Sequence, residues 1–159
     1  VEDIELGYRL RAAGGRILLL PEVRCTHLKE WRLLNLLHTE IFCRALPWSR
    51  LMLTRTGLHN DLNVTTGERV RAGLAGLVVI LLACTFPGLA PWWIAFATGV
   101  AIAIANRRLF AFFYHRKGLS FALRATLFHQ LYYLYSSAAF VWSWIEIRIL
   151  RLHRRQTVT

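Results

Sequence analysis

The feature that most limits what this chain can fold into is the 35-residue stretch from Ala72 to Asn106, which contains no Asp, Glu, Lys, Arg or His. An apolar run this long reads as membrane-embedded, and it exceeds the length of about 20 residues that one helical crossing needs. Pro87-Gly88 and Pro91 divide it. Two closely joined helices are therefore predicted, about 72–87 and 90–106, with Trp92 and Trp93 as interfacial anchors.

A third apolar run, about 125–145, has only His129, Tyr132, Tyr133 and Tyr135 as titratable side chains. Its His, Gln, Tyr and Ser content is high for a helix bathed in lipid on every side, so part of it is expected to face protein or a polar groove. Between the second and third runs lies RRLFAFFYHRKGLSFALR, residues 107–124, a basic amphipathic segment suited to the cytoplasmic surface. Three crossings would leave the basic tail RILRLHRR on the far side, against the positive-inside preference.

Charge is distributed to match. Residues 1–71 carry 11 basic and 8 acidic side chains, and residues 72–159 carry 9 basic and 1 acidic, which gives the net +11 of the whole chain. The excess flanks the apolar runs, which suits an anionic lipid surface and argues against nucleic acid as a partner. Cys25, Cys43 and Cys84 are too few and too scattered for a disulfide framework or a zinc knuckle.

The front of the chain is different in character. In VEDIELGYRLRAAGGRILLLPE, residues 4–13 read as a helix with Glu2 and Asp3 at its positive end and a Glu5–Arg9 pair on its side. Gly14-Gly15 would end it, and Ile17-Leu18-Leu19-Leu20 before Pro21 suits a buried strand. One helix and one strand are half of an α/β layer and cannot close a core. With Val1 in place of an initiator Met, the chain is expected to be the C-terminal part of a longer protein. Residues 32–46 then place Leu33, Leu34, Leu37, Ile41, Ala45 and Leu46 on one stripe between Trp31 and Trp48. That is the pattern of an interface helix, and the polar, turn-rich Gly57–Gly67 reads as a connector to the membrane region.

An acidic doublet at a helix start is ordinarily a capping group; held in a cleft it can instead act as a general base. The order EDIELGYRLRAAGGRILLLPE, then THLKEW, then a membrane region, resembles the membrane-bound members of glycosyltransferase family 2. Those are inverting GT-A enzymes that use nucleotide-diphospho-sugars. The residues that carry the resemblance are Glu2, Asp3, Leu6, Arg9, Leu10, Gly14 or Gly15, Ile17, Pro21 and His27.

The resemblance implies an α/β GT-A catalytic-domain remnant over residues 1–31, followed by an all-α membrane region: an interface helix and connector at 32–71, then about three transmembrane helices within 72–159. It implies Asp3 as the base that deprotonates an acceptor hydroxyl, with Glu2 shaping the acceptor site. It further places His27 near a divalent metal, Mg or Mn, or near the diphosphate. Lys29 and Trp31 fall where processive members carry the Arg and Trp of Q-x-x-R-W, so Lys29 could offset diphosphate charge and Trp31 could stack on a sugar. HLKEW does not meet that motif, which favours transfer of a single sugar over polymer synthesis. No D-x-D occurs in the chain, so these residues alone are expected to be inactive.

The partners so implied are a nucleotide-sugar donor, a lipid or lipid-linked acceptor, and the membrane, with the catalytic part cytoplasmic. The alternative is a non-catalytic membrane anchor or assembly module. A transporter is disfavoured because the apolar runs contain no Asp, Glu, Lys or Arg and show no repeat.

Overall fold

The computed structural model describes residues 2–18, 20–26, 28, 30–60, 62 and 64–156. The protein is 78% helical, with no strand among the described residues. It divides into two units, residues 1–58 with 139–159, and residues 59–138.

The first unit begins with α1, Glu2–Ala12. Glu2, Asp3 and Glu5 occupy its first turn and Arg9 and Arg11 its last, so both ends complement the helix dipole. Arg9 Nε donates to Glu5 Oε2 at 2.8 Å. The helix stops at Gly14, whose φ of 82° is open to glycine at little cost. The next residue, Gly15, donates from its N–H to the Leu10 carbonyl at 2.9 Å. A Cβ on Gly15 would lie 2.8 Å from that oxygen, so no larger residue fits without movement.

The α/β expectation fails at this point. No helix or strand forms between Arg16 and Glu30 among the described residues, and Ile17, Leu18 and Leu20 are 59%, 72% and 55% exposed. A strand needs a neighbour for its N–H and C=O groups, and no described segment supplies one. Residues 1–31 are therefore not an α/β remnant. Ile17 leans back on α1, where its Cδ1 lies 3.5 Å from where a Cβ on Gly7 would sit. A turn at Pro21-Glu22 follows, closed by Val23 N–H to Leu20 O at 3.2 Å.

From Leu33 to Thr56 the backbone is helical throughout but not uniform. α2, Leu33–His38, passes into a wide π-helical segment, Thr39–Ala45; α3, Leu46–Leu51, passes into a second one, Met52–Thr56. The first widening has a local cause. Pro47 has no N–H and its ring would clash with the carbonyl one turn earlier, and a turn with an extra residue relieves that clash. The second ends at Gly57, φ 76°, whose N–H reaches back to Met52 O at 3.1 Å. The remaining part of this unit is the end of a long last helix. Arg50 there binds Glu146 through Nε at 2.9 Å and Nη2 at 3.2 Å. Glu146 is the single acid after residue 71.

In the second unit α4, Thr66–Thr85, starts with a threonine N-cap: Thr65 Oγ1 accepts from the Glu68 N–H at 3.4 Å. Asn60 Oδ1 also accepts from the Thr66 N–H at 2.6 Å. A turn at Pro87-Gly88, with Gly88 at φ 75°, leads through Pro91 to α5, Trp92–Ala105. Asn106 forms the corner to α6, Arg107–Gln156, which is broken at Gly118 (φ 79°, ψ 179°) into limbs 107–117 and 119–156.

The core of this unit joins Ala75, Ile102 and Tyr133, with Ala72, Leu74, Val78, Tyr132 and Leu134 packed on it. Its fully or nearly buried residues include Ala75, Ala95 and Ala122, whereas Ile80, Trp92, Phe96 and Leu127 are 58% or more exposed.

No single helix among the described residues is long and apolar enough to cross a membrane. The reason lies in the chain: α4 carries Glu68, Arg69 and Arg71 in its first turns, and α5 has 14 residues, about 21 Å at 1.5 Å per residue. Trp92–Ala105 and Arg107–Ile149 together meet the length and composition required, with a 62° bend between them.

Candidate functional site

Each unit has a concave site among its described residues. In the first unit, Glu2, Asp3, Glu5, Leu6 and Arg9 from α1 and Pro47 and Leu51 from α3 line a cavity of about 480 Å³. The i, i+3, i+4 spacing of a helix puts these α1 side chains on one face. Glu2 and Asp3 are exposed, so a solute hydroxyl can reach them. The Ile4 backbone N–H holds the Asp3 carboxyl below the ordinary carboxylate range, and Asp3 is therefore ionised at neutral pH. An ionised, accessible carboxylate can take a proton from a hydroxyl.

Glu2 and Asp3 are thus brought together on one groove. Trp31 is 44% exposed and is not among the residues that line it. His27 and Lys29 lie outside the described residues. No three His, Cys, Asp or Glu side chains gather around a common point among the described residues.

The second site was not foreseen residue by residue. A cavity of about 780 Å³ opens where the start of α4 meets the α5–α6 corner. Tyr133 donates to Glu68 Oε2 at 2.7 Å and shares that proton with Asn106 Oδ1 at 3.2 Å. Glu68 also pairs with Arg71 one turn along α4. Asn106 Nδ2 donates to the Ile102 carbonyl at 3.0 Å, which fixes its amide. His129 lines the same cavity, and its Nδ1 is buried with no partner among the described residues. Phe112, Tyr132 and Leu109 give it apolar walls.

The signal in the sequence was the excess of His and Tyr in the third apolar run. What sequence alone did not reveal is that Glu68 and Asn106, one before and one at the end of the uncharged stretch, converge on Tyr133. No protein-family model matches the chain, and no curated protein or solved structure is found to be similar to it.

Proposed function

We propose that this chain is the membrane-attached part of an inverting glycosyltransferase like the membrane-bound members of family 2, acting on a lipid or lipid-linked acceptor. The observation that carries the reading is the placing of Glu2 and Asp3, the acidic doublet of the resemblance, on one open groove with Asp3 ionised. The outward-facing apolar side chains of residues 59–138 support attachment to a bilayer.

In this reading an acceptor hydroxyl enters the α1 groove and its oxygen attacks the anomeric carbon of a nucleotide-diphospho-sugar. The new C–O bond forms as the bond to the diphosphate breaks on the opposite face. The proton of the hydroxyl passes to Asp3, and the nucleoside diphosphate leaves with the electron pair. Glu2 orients the acceptor, Trp31 offers a face to a sugar, and the resemblance assigns Lys29 and His27 to the diphosphate.

The test is transfer of label from nucleotide-diphospho-sugars into the lipid extract of membranes that contain the product of the complete reading frame. Label in the lipid fraction supports the reading, and none with any common nucleotide-sugar contradicts it. The second reading, a non-catalytic anchor or assembly module, is favoured by the lack of any strand among the described residues. It predicts that result: membrane association without transfer.

A further inference from the structure

We propose that the cavity at the α4 start and the α5–α6 corner binds the phosphate headgroup of an anionic lipid. The proposal rests on the membrane attachment argued above and not on sugar transfer.

Charge comes first. Arg71 is paired with Glu68, whereas Arg108, which also lines the cavity, has no acidic partner among the described residues. One guanidinium is left to meet an anion, and its planar fork matches phosphate oxygens. The Tyr133–Glu68–Asn106 bonds hold the cavity wall in place, so the site is organised before a ligand arrives. The buried Nδ1 of His129 is a polar atom still lacking a partner, as expected of a wall that a ligand completes.

Position points to a lipid and not to a free ion. Arg71 and Arg108 stand just outside the two ends of the uncharged stretch 72–106, and the α4–α5 hairpin brings those ends to one cavity. In a bilayer that is headgroup level, where cations meet lipid phosphates. Apolar side chains are exposed on the elements that line the cavity: Phe112, in its wall, and Leu127 and Leu131, on the limb that carries His129, are 54%, 70% and 41% exposed, which suits acyl chains. A volume of about 780 Å³ holds a headgroup with its glycerol, far more than an inorganic ion needs.

The experiment uses the full chain in neutral-detergent micelles, titrated with phosphatidic acid, phosphatidylcholine and inorganic phosphate and followed by tryptophan fluorescence and native mass spectrometry. Phosphatidic acid should bind saturably, and phosphate at millimolar concentration should not displace it. Arg108→Gln should weaken that binding by about tenfold or more, as loss of a charge-assisted bond does. Arg124→Gln, which removes an exposed charge away from the cavity, should change it less than about twofold. Should Arg108→Gln lose helicity, Phe112→Ser, at an exposed wall position, is the second variant and should weaken phosphatidic acid alone. Equal losses from Arg108→Gln and Arg124→Gln would overturn the proposal. So would displacement by phosphate, or equal binding of phosphatidylcholine.

Discussion

Tyr133 on α6 donates its hydroxyl proton to Glu68 on α4 at 2.7 Å, across 65 residues of chain. Tyr133 is 1% exposed and sits in the core with Ala75 and Ile102. The bond thus ties the charged start of α4 to the middle of the long last helix, at a polar point in the core of residues 59–138. Tyr133→Phe keeps the ring and removes the hydroxyl, which leaves a carboxylate oxygen and the Asn106 amide oxygen short of a donor. The expected loss is about 1–3 kcal/mol. Thermal unfolding in detergent measures it, and an unchanged midpoint would show that Glu68 finds another donor.

The Arg50–Glu146 pair should matter less. Both oxygens of Glu146 are engaged, but the side chains are 47% and 34% exposed, so solvent screens the attraction. A double-mutant cycle with Arg50→Gln and Glu146→Gln should give a coupling of about 0.5–1 kcal/mol that shrinks as salt is raised. A coupling insensitive to salt would mean that the pair is shielded from solvent.

Pro47 accounts for the π-helical segment Thr39–Ala45. Pro47→Ala restores an N–H and removes the ring clash, so the helix should regain regular α-helical bonding there and gain up to about 3 kcal/mol. Amide exchange between Cys43 and Leu51 reports the change. Slower exchange is expected, and faster exchange would mean that the wide turn has a cause other than proline.

These elements differ in how far the sequence foretold them. The end of α1 was legible because a double glycine after a charged, dipole-matched helix has few other uses. The strand at Ile17–Leu20 was not, because four apolar residues state a need for burial and say nothing about whether a partner strand exists. The breaks at Pro87-Gly88 and Gly118 differ in the same way: the first interrupts a uniform apolar run and stands out, and the second lies in a basic-aromatic segment that looks helical on both sides. Glu2 and Asp3 could be singled out as a local doublet, whereas the Tyr133–Glu68–Asn106 cluster joins three distant positions and becomes visible only once the chain is folded.

Asp3 offers a test by pH. Its folded value lies below the ordinary aspartate value because the Ile4 N–H bonds the carboxylate, so its ionisation favours the folded state. That contribution is complete above the unfolded value and is lost as pH falls through the folded one. The carboxyl carbon shift of Asp3, followed by NMR, should titrate below the ordinary aspartate value. A midpoint at or above that value would mean that the Ile4 N–H does not engage the carboxylate.

The central claim, that Asp3 takes the proton of an acceptor hydroxyl, is tested most directly by comparing Asp3→Asn with the parent enzyme in membranes under saturating nucleotide-sugar. Loss of general-base assistance should lower kcat by about 10²–10⁴-fold, with membrane insertion and helix content unchanged. A kcat within a few-fold of the parent would contradict the claim and return the acidic doublet to its role at the head of α1.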